Sequence, residues 1–206
     1  MSDSKQVVHR HFSLEQIEDL RDAAHSRNTR YDSSLRDEVF VTISADLGTR
    51  PRETVRLTRH MFDLNAEEVT IPAEIQKDYP IENKSPGAAT LRLDHYGHFG
   101  TVRLLRTYLK TLDDEDYLFP SRQGGRINTN TARNITERLA VEGNVCPKRT
   151  DGKPSEPSES HPHAFRHSVA NYMLADPDTR LVDVRNRLRH RSILTTERVY
   201  EHFQRR

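Results

Sequence analysis

The stretch His161-Pro162-His163-Ala164-Phe165-Arg166-His167, continued by the apolar run "SVANYML" to Leu174, sets three histidines and an arginine at the head of one segment. Proline fits the first turn of a helix, where its missing N–H leaves no bond unmade, so the spacing predicts a helix over 163–174 with Ser160 or His161 near the cap. His163 then stands where unpaired backbone N–H groups point outward, the end of a helix that favours an anion. At i and i+3, His163 and Arg166 share a face. Arg166 offers a donor fork for a phosphate, and His163 a donor or a proton carrier. An isolated H-x-x-R is more often a capping or surface pair than a site. His161, His163 and His167 also raise a metal reading, but no acidic side chain lies beside them in sequence and no cysteine is close.

Outward from this stretch, the chain of 206 residues has room for one domain with a sizeable core. Hydrophobic residues make up 33% and charged ones 31%, with no tryptophan, so the core is lean and the surface heavily solvated. Cys146 stands alone, which excludes an intrachain disulfide and a zinc site built on cysteines. No apolar run approaches a membrane span and the first residues carry no signal-peptide core, so a cytoplasmic protein with no membrane partner is expected. The formal charge is +1, but it is unevenly spread. Residues 1–40 carry six basic and eight acidic side chains, residues 121–150 six basic against two acidic, and residues 180–206 eight arginines against three acids. Arginine gathered in this way suits a phosphate backbone, whose counterions it releases; a solvated helix face is the plainer reading of any one run.

The pattern is mostly helical. "FSLEQIEDLRDAA" opens with Ser13 and Gln16 in capping-box spacing and puts Leu14, Ile17, Leu20 and Ala24 on one face. "SSLRDEVFVTISADLG" turns Leu35, Val39, Phe40, Ile43 and Leu47 inward and stops at Gly48. "EEVTIPAEIQ" and "AATLRLD" read as the strands of a hairpin across a turn-rich link. Further helices are predicted at about 97–111, 129–142, 163–174, 181–190 and 195–203. Residues 144–161, rich in Pro, Ser, Gly and charge, read as a mobile loop inside one domain.

Three further boxes surround H-x-x-R: Gly48-Thr49-Arg50-Pro51-Arg52-Glu53, Leu188-Arg189-His190, and Thr195-Thr196 followed by Tyr200. Together, and in this order, they resemble the tyrosine recombinase (phage integrase) family, with its G-x-R-x-x-E, hairpin lysine, H-x-x-R, L-x-H and terminal tyrosine. The resemblance spans residues 13–203. It implies an α+β, mostly helical fold, that of a tyrosine-recombinase catalytic domain, with a small antiparallel β-hairpin or sheet on one side and residues 1–206 as a single catalytic domain. Family members usually carry an N-terminal clamp domain ahead of this pattern. The pattern here begins almost at once, so that domain is expected to be absent and the chain to be a fragment or a stand-alone catalytic domain.

What the resemblance implies chemically is the cleavage and rejoining of double-stranded DNA, with no cofactor, metal or ATP. Arg50 and Arg166 clamp the non-bridging oxygens, where charge is most exposed as a nucleophile adds. Tyr200 attacks phosphorus to give a 3′-phosphotyrosyl link. The hairpin lysine, Lys77 or alternatively Lys84, protonates the leaving 5′-oxygen, and His163 assists proton transfer at the tyrosine. His190 donates to a phosphate oxygen and Glu53 orders Arg50. Implied partners are double-stranded DNA, a second copy of the chain on DNA, and a clamp domain or accessory protein supplied in trans. Two other outcomes stay open on sequence: DNA relaxation of the type IB topoisomerase kind, and a non-catalytic DNA-binding remnant.

Overall fold

The computed structural model describes residues 8–26, 34–77, 86–112 and 117–190, with Thr196 and Tyr200. The chain enters through a two-residue strand, β1 (Arg10–His11), and turns at Ser13 into α1 (Leu14–His25). The predicted capping box is formed: Gln16 N–H donates to Ser13 Oγ at 3.3 Å and Ser13 N–H to Gln16 Oε1 at 3.1 Å. Ile17, Leu20 and Ala24 are buried, as their spacing requires. α2 (Ser34–Leu47) differs from its predicted one-sided burial, because Val39 to Leu47 are buried all round. It is the central helix, with α1 on it, and Phe40 meets Phe119 and Phe165 edge-on at 5.5 and 6.5 Å. Gly48 ends it with φ +58, the left-handed stop expected of glycine. A single turn, α3 (Pro51–Thr54), follows at once.

The predicted hairpin is a three-stranded antiparallel sheet, β2 (Phe62–Asp63), β3 (Glu68–Ile71) and β4 (Ala89–Arg92), in that order. Val69 and Ile71 face the core while Glu68 and Thr70 are exposed, the period-two signature of a sheet packed on one side. β3 stops at Ile71, short of the predicted Gln76, because Pro72 has no N–H for the ladder. Gln76 instead donates its side-chain amide to Ile71 O at 3.0 Å and Gly87 O at 2.9 Å, clipping together the two sides of the link. The next helix, α4 (Thr101–Tyr108), starts later than predicted. The carboxylate of Asp94 accepts from the N–H groups of Phe99 and Gly100 at 3.0 and 3.1 Å, which holds residues 94–100 as a turn.

α5 (Thr129–Glu142) has the predicted bounds, capped by Asn128, whose side chain accepts from Thr131 N–H at 2.8 Å. Segment 144–161, read as a loop, contains β5 (Lys148–Arg149), paired antiparallel with β1 as Arg10↔Arg149 and His11↔Lys148. Sequence alone misses this pair, since two residues carry no periodicity. Arg10 also meets Glu159. α6 (His163–Ala175) begins one residue after Pro162, and α7 (Leu181–Leu188) crosses it. Val169, Ala170, Met173, Val184, Leu188 and Tyr200 form a second apolar cluster there. The predicted helix at 195–203 lies mostly outside the described residues, although Thr196 and Tyr200 are helical and buried.

A buried ion pair fastens α7 to the rest. Arg187 donates to Asp46 Oδ1 at 2.7 Å and to the carbonyls of Asp46 and Arg92 at 2.8 and 2.7 Å. Among the described residues, no helix is long and apolar enough to cross a membrane.

Candidate active site

Arg166 is 2% exposed, far deeper than a surface clamp. Its Nη1 donates to Gly48 O at 2.6 Å and its Nη2 to Leu188 O, so one guanidinium joins the end of α2 to the end of α7. Those two bonds use two of five N–H donors in a fixed fork. Gly48 is required twice over: its φ is left-handed, and a Cβ there would stand 2.6 Å from Leu188 Cδ2. The glycine of G-x-R-x-x-E therefore lets α7 approach closely enough for Arg166 to reach both carbonyls.

Arg50 precedes α3, and Glu53 folds back on it. Glu53 Oε2 accepts from Arg50 N–H at 2.9 Å, and Oε1 from Arg50 Nη1 at 2.9 Å. The x-x spacing between Arg50 and Glu53 is the spacing of this turn. Arg189 donates to Glu53 Oε2 at 2.6 Å from the other side of the site. Burial opposes ionisation of Glu53, but Arg189, the Arg50 N–H, the Arg50 guanidinium and Arg166 outweigh it and hold the carboxyl below its ordinary value. Burial is also the main reason Arg166 falls to about 9, with Arg50 and Arg189 adding repulsion and Tyr200 and Glu53 opposing it.

Tyr200 is 1% exposed and lies between two histidines. Its hydroxyl is 3.1 Å from His167 Nδ1, and its ring stacks on His190 with 6.3 Å between centroids and 12° between planes. Burial pushes the phenol up to about 12, against the pull of Arg166 and Arg50. His190 Nδ1 is 2.9 Å from Thr196 Oγ1, so the second threonine of the Thr-Thr pair fixes the imidazole. Thr195 lies outside the described residues. His163 is exposed at the head of α6, yet the surrounding protein desolvates its ring, and with Arg166, His161, Arg50 and His9 lowers its pKa to about 4. The same causes, desolvation first and then Arg166, Arg50, Arg189 and His163, bring His190 to about 3. The histidines of the site are thus neutral near pH 7.

Of the predicted site residues, Arg50, Glu53, His163, Arg166, His190 and Tyr200 come together. Lys77 stands apart in character: it is exposed, two residues beyond the 3-10 turn Ala73–Ile75, and not at the end of a strand. Lys84 lies outside the described residues. Sequence reasoning missed Arg189, and weighed His167 only as a metal ligand. Its i+4 spacing from His163 was the available signal, since that places it one turn further along the same face. His9 was missed altogether; its ring packs on His167 with 4.5 Å between centroids because β1 pairs with β5.

The chain belongs to the phage integrase family, whose model matches residues 10–206. It is 31% identical over 173 residues to the tyrosine recombinase XerC of Serratia marcescens and 30% identical over 171 residues to that of Salmonella typhi. These alignments cover 82% of this chain and 48% and 49% of the relatives, so the chain spans about half the length of the curated relatives it matches. Among solved structures it resembles the XerA recombinase, with a TM-score of 0.68 at 21% identity over 100% of this chain and 61% of the other. It also resembles the Tn1549 transposon integrase bound to transposon right-end DNA, with a TM-score of 0.70 at 13% identity over 96% and 62%. Those likenesses establish the fold: a tyrosine-recombinase catalytic domain, mostly helical with small antiparallel sheets.

Proposed function

We propose that this chain cleaves and rejoins DNA strands as a site-specific tyrosine recombinase. The observation that carries the reading is a buried tyrosine set among basic side chains: Tyr200 Oη lies 3.1 Å from His167 Nδ1, its ring stacks on His190, and the charges of Arg166 and Arg50 both favour its phenolate. In the reaction, Tyr200 Oη attacks phosphorus in line, its proton passing to a neighbouring imidazole; the P–O5′ bond breaks and a 3′-phosphotyrosyl link forms. Arg50, Arg166 and His190 stabilise the charge on the non-bridging oxygens. Lys77 gives the proton to the departing 5′-oxygen. Attack by a different 5′-hydroxyl reverses these steps and exchanges strands, with the bond energy held in the phosphotyrosyl link so that neither ATP nor a metal is needed. Double-stranded DNA is the substrate, a second copy of the chain on DNA the partner in exchange, and a clamp domain or accessory protein in trans an aid to binding.

Family membership and the similarity to XerC support strand exchange over simple relaxation and over a binding remnant. The test is a library of nicked duplexes with randomised sequence, in which cleavage next to the nick releases a short fragment and prevents religation. Covalent complexes that survive denaturant are recovered and sequenced. The reading expects such complexes, enriched in a common sequence; their complete absence contradicts it. With a 5′-bridging phosphorothiolate, whose thiolate departs without a proton, Lys77→Ala should regain cleavage. Rescue of Lys84→Ala instead of Lys77→Ala reassigns the acid.

A further inference from the structure

Arg189 is in an uncomfortable place for its residue type. It caps α7 with φ 55 and ψ 45, a left-handed conformation that side chains other than glycine and asparagine seldom adopt. Its turn, closed by His190 N–H donating to Arg185 O at 2.9 Å, is what sends His190 toward Tyr200. Glycine would make that turn without strain. The side chain is only 6% exposed, and its Nε is buried with no hydrogen-bond partner among the described residues. A strained, desolvated arginine persists only if its surroundings hold it there. What holds it is chiefly the 2.6 Å bond to Glu53, a side chain itself 1% exposed, beside a longer bond of 3.3 Å from Nη1 to Arg187 O.

Glu53 presents a difficulty that Arg189 resolves. The carboxylate aligns Arg50 through two bonds, but its negative charge lies against the guanidinium that must face a phosphodiester. With Arg50 and Arg166 alone, one of the two positive charges is cancelled. Arg189 supplies a second cation to the same carboxylate, through Oε2, while Arg50 Nη1 uses Oε1. We propose that Arg189 is a positioning residue of the phosphate site: it neutralises Glu53, so that Glu53 orders Arg50 without cancelling its charge, and it ties the His190 turn to the Arg50 turn. This deepens the function proposed above and rests on it for the identity of the phosphate.

The experiment compares the full chain with Arg189→Gln, Arg189→Lys, Glu53→Gln and the double variant Glu53→Gln/Arg189→Gln. Two readouts are used: stabilisation of the folded chain by inorganic phosphate, and the single-turnover rate of adduct formation on a nicked duplex. A ligand that binds only the folded chain stabilises it by RT ln(1 + [L]/Kd), so the first readout needs no catalysis. Arg189→Gln should weaken phosphate binding and slow adduct formation by roughly tenfold to a hundredfold, at or below the ~10²–10³ typical of removing a donor that touches the reacting charge. Arg189→Lys should retain most of both. The double variant, with the balance of charge restored, should bind phosphate within a few-fold of the native chain. Should Arg189→Gln not fold, the lysine and double variants carry the comparison. Phosphate binding equal in Arg189→Gln and the native chain overturns the proposal, and so does a double variant no better than Arg189→Gln, which is the signature of a mere brace. A native chain that binds phosphate but forms no adduct overturns the recombinase reading and leaves the role of Arg189 decided by phosphate binding alone.

Discussion

The hydroxyl of Tyr200 and Nδ1 of His167 are 3.1 Å apart, and both side chains are buried. The phenol sits at about 12 and the imidazole far below its ordinary value, so at pH 7 the bond joins a neutral donor to a neutral acceptor. In the proposed reaction this bond offers the hydroxyl proton an acceptor as Tyr200 Oη attacks phosphorus. His167 also touches His9 and His163, whose ring centroids lie 4.5 and 5.0 Å away, so it links Tyr200 to the residue ahead of β1 and to the head of α6.

His167→Ala removes a buried hydrogen bond to the Tyr200 hydroxyl and a ring packed against His9 and His163, which together cost about 0.5–3 kcal/mol. The folded chain should lose several degrees in Tm, while weak binding to bulk duplex DNA, set by exposed arginines, stays as it was. An unchanged Tm contradicts the account of this bond.

Gly48→Ala tests the joint beneath Arg166. The new Cβ meets Leu188 Cδ2 at 2.6 Å and must also hold φ +58, which together cost about 2–5 kcal/mol. Urea unfolding should show that loss, and adduct formation should fall with it because Gly48 O and Leu188 O no longer align Arg166. Unaltered stability shows that α7 has room to spare and the close approach is not needed.

Acid should destabilise the chain earlier than carboxylate titration alone accounts for. His163 and His190 are lowered to about 4 and about 3 from an ordinary 6.5, each by desolvation first and neighbouring cations next. Below pH 6.5 the unfolded chain takes up protons that the folded chain refuses, so their contribution is complete above 6.5 and is lost as pH falls toward those values. Glu53, held low, adds a contribution that is present above its ordinary value near 4.5 and is lost only in stronger acid. Thermal unfolding at pH 7.5 and pH 5 should give a lower Tm at pH 5, with the gap narrowed in His190→Asn. A Tm that is level or rises on acidification is the contrary result.

The helices that position the site were readable because each carries its own local signal: the Ser13–Gln16 box, the Gly48 stop, and Pro162 ahead of His163. The order of boxes brought Arg50, Arg166, His190 and Tyr200 forward for the same reason, each lying in a short motif. What stayed hidden depends on contacts distant in sequence. His9 reaches His167 only through the pairing of two two-residue strands, and Arg189 reaches Glu53 across 136 positions. Lys77 shows the opposite failure: strand propensity carried it to the end of β3, whereas Pro72 ended the strand before it.

The central claim is that Tyr200 becomes bonded to DNA, and mapping the covalent complex tests it most directly. Adduct trapped on a nicked duplex is digested with protease and nuclease, and the modified peptide is sequenced by mass spectrometry. The account predicts a nucleotide joined through its 3′-phosphate to Tyr200, a free 5′-hydroxyl on the released strand, and no adduct from Tyr200→Phe. Adduct that persists in Tyr200→Phe, maps to another residue, or is joined through a 5′-phosphate contradicts it.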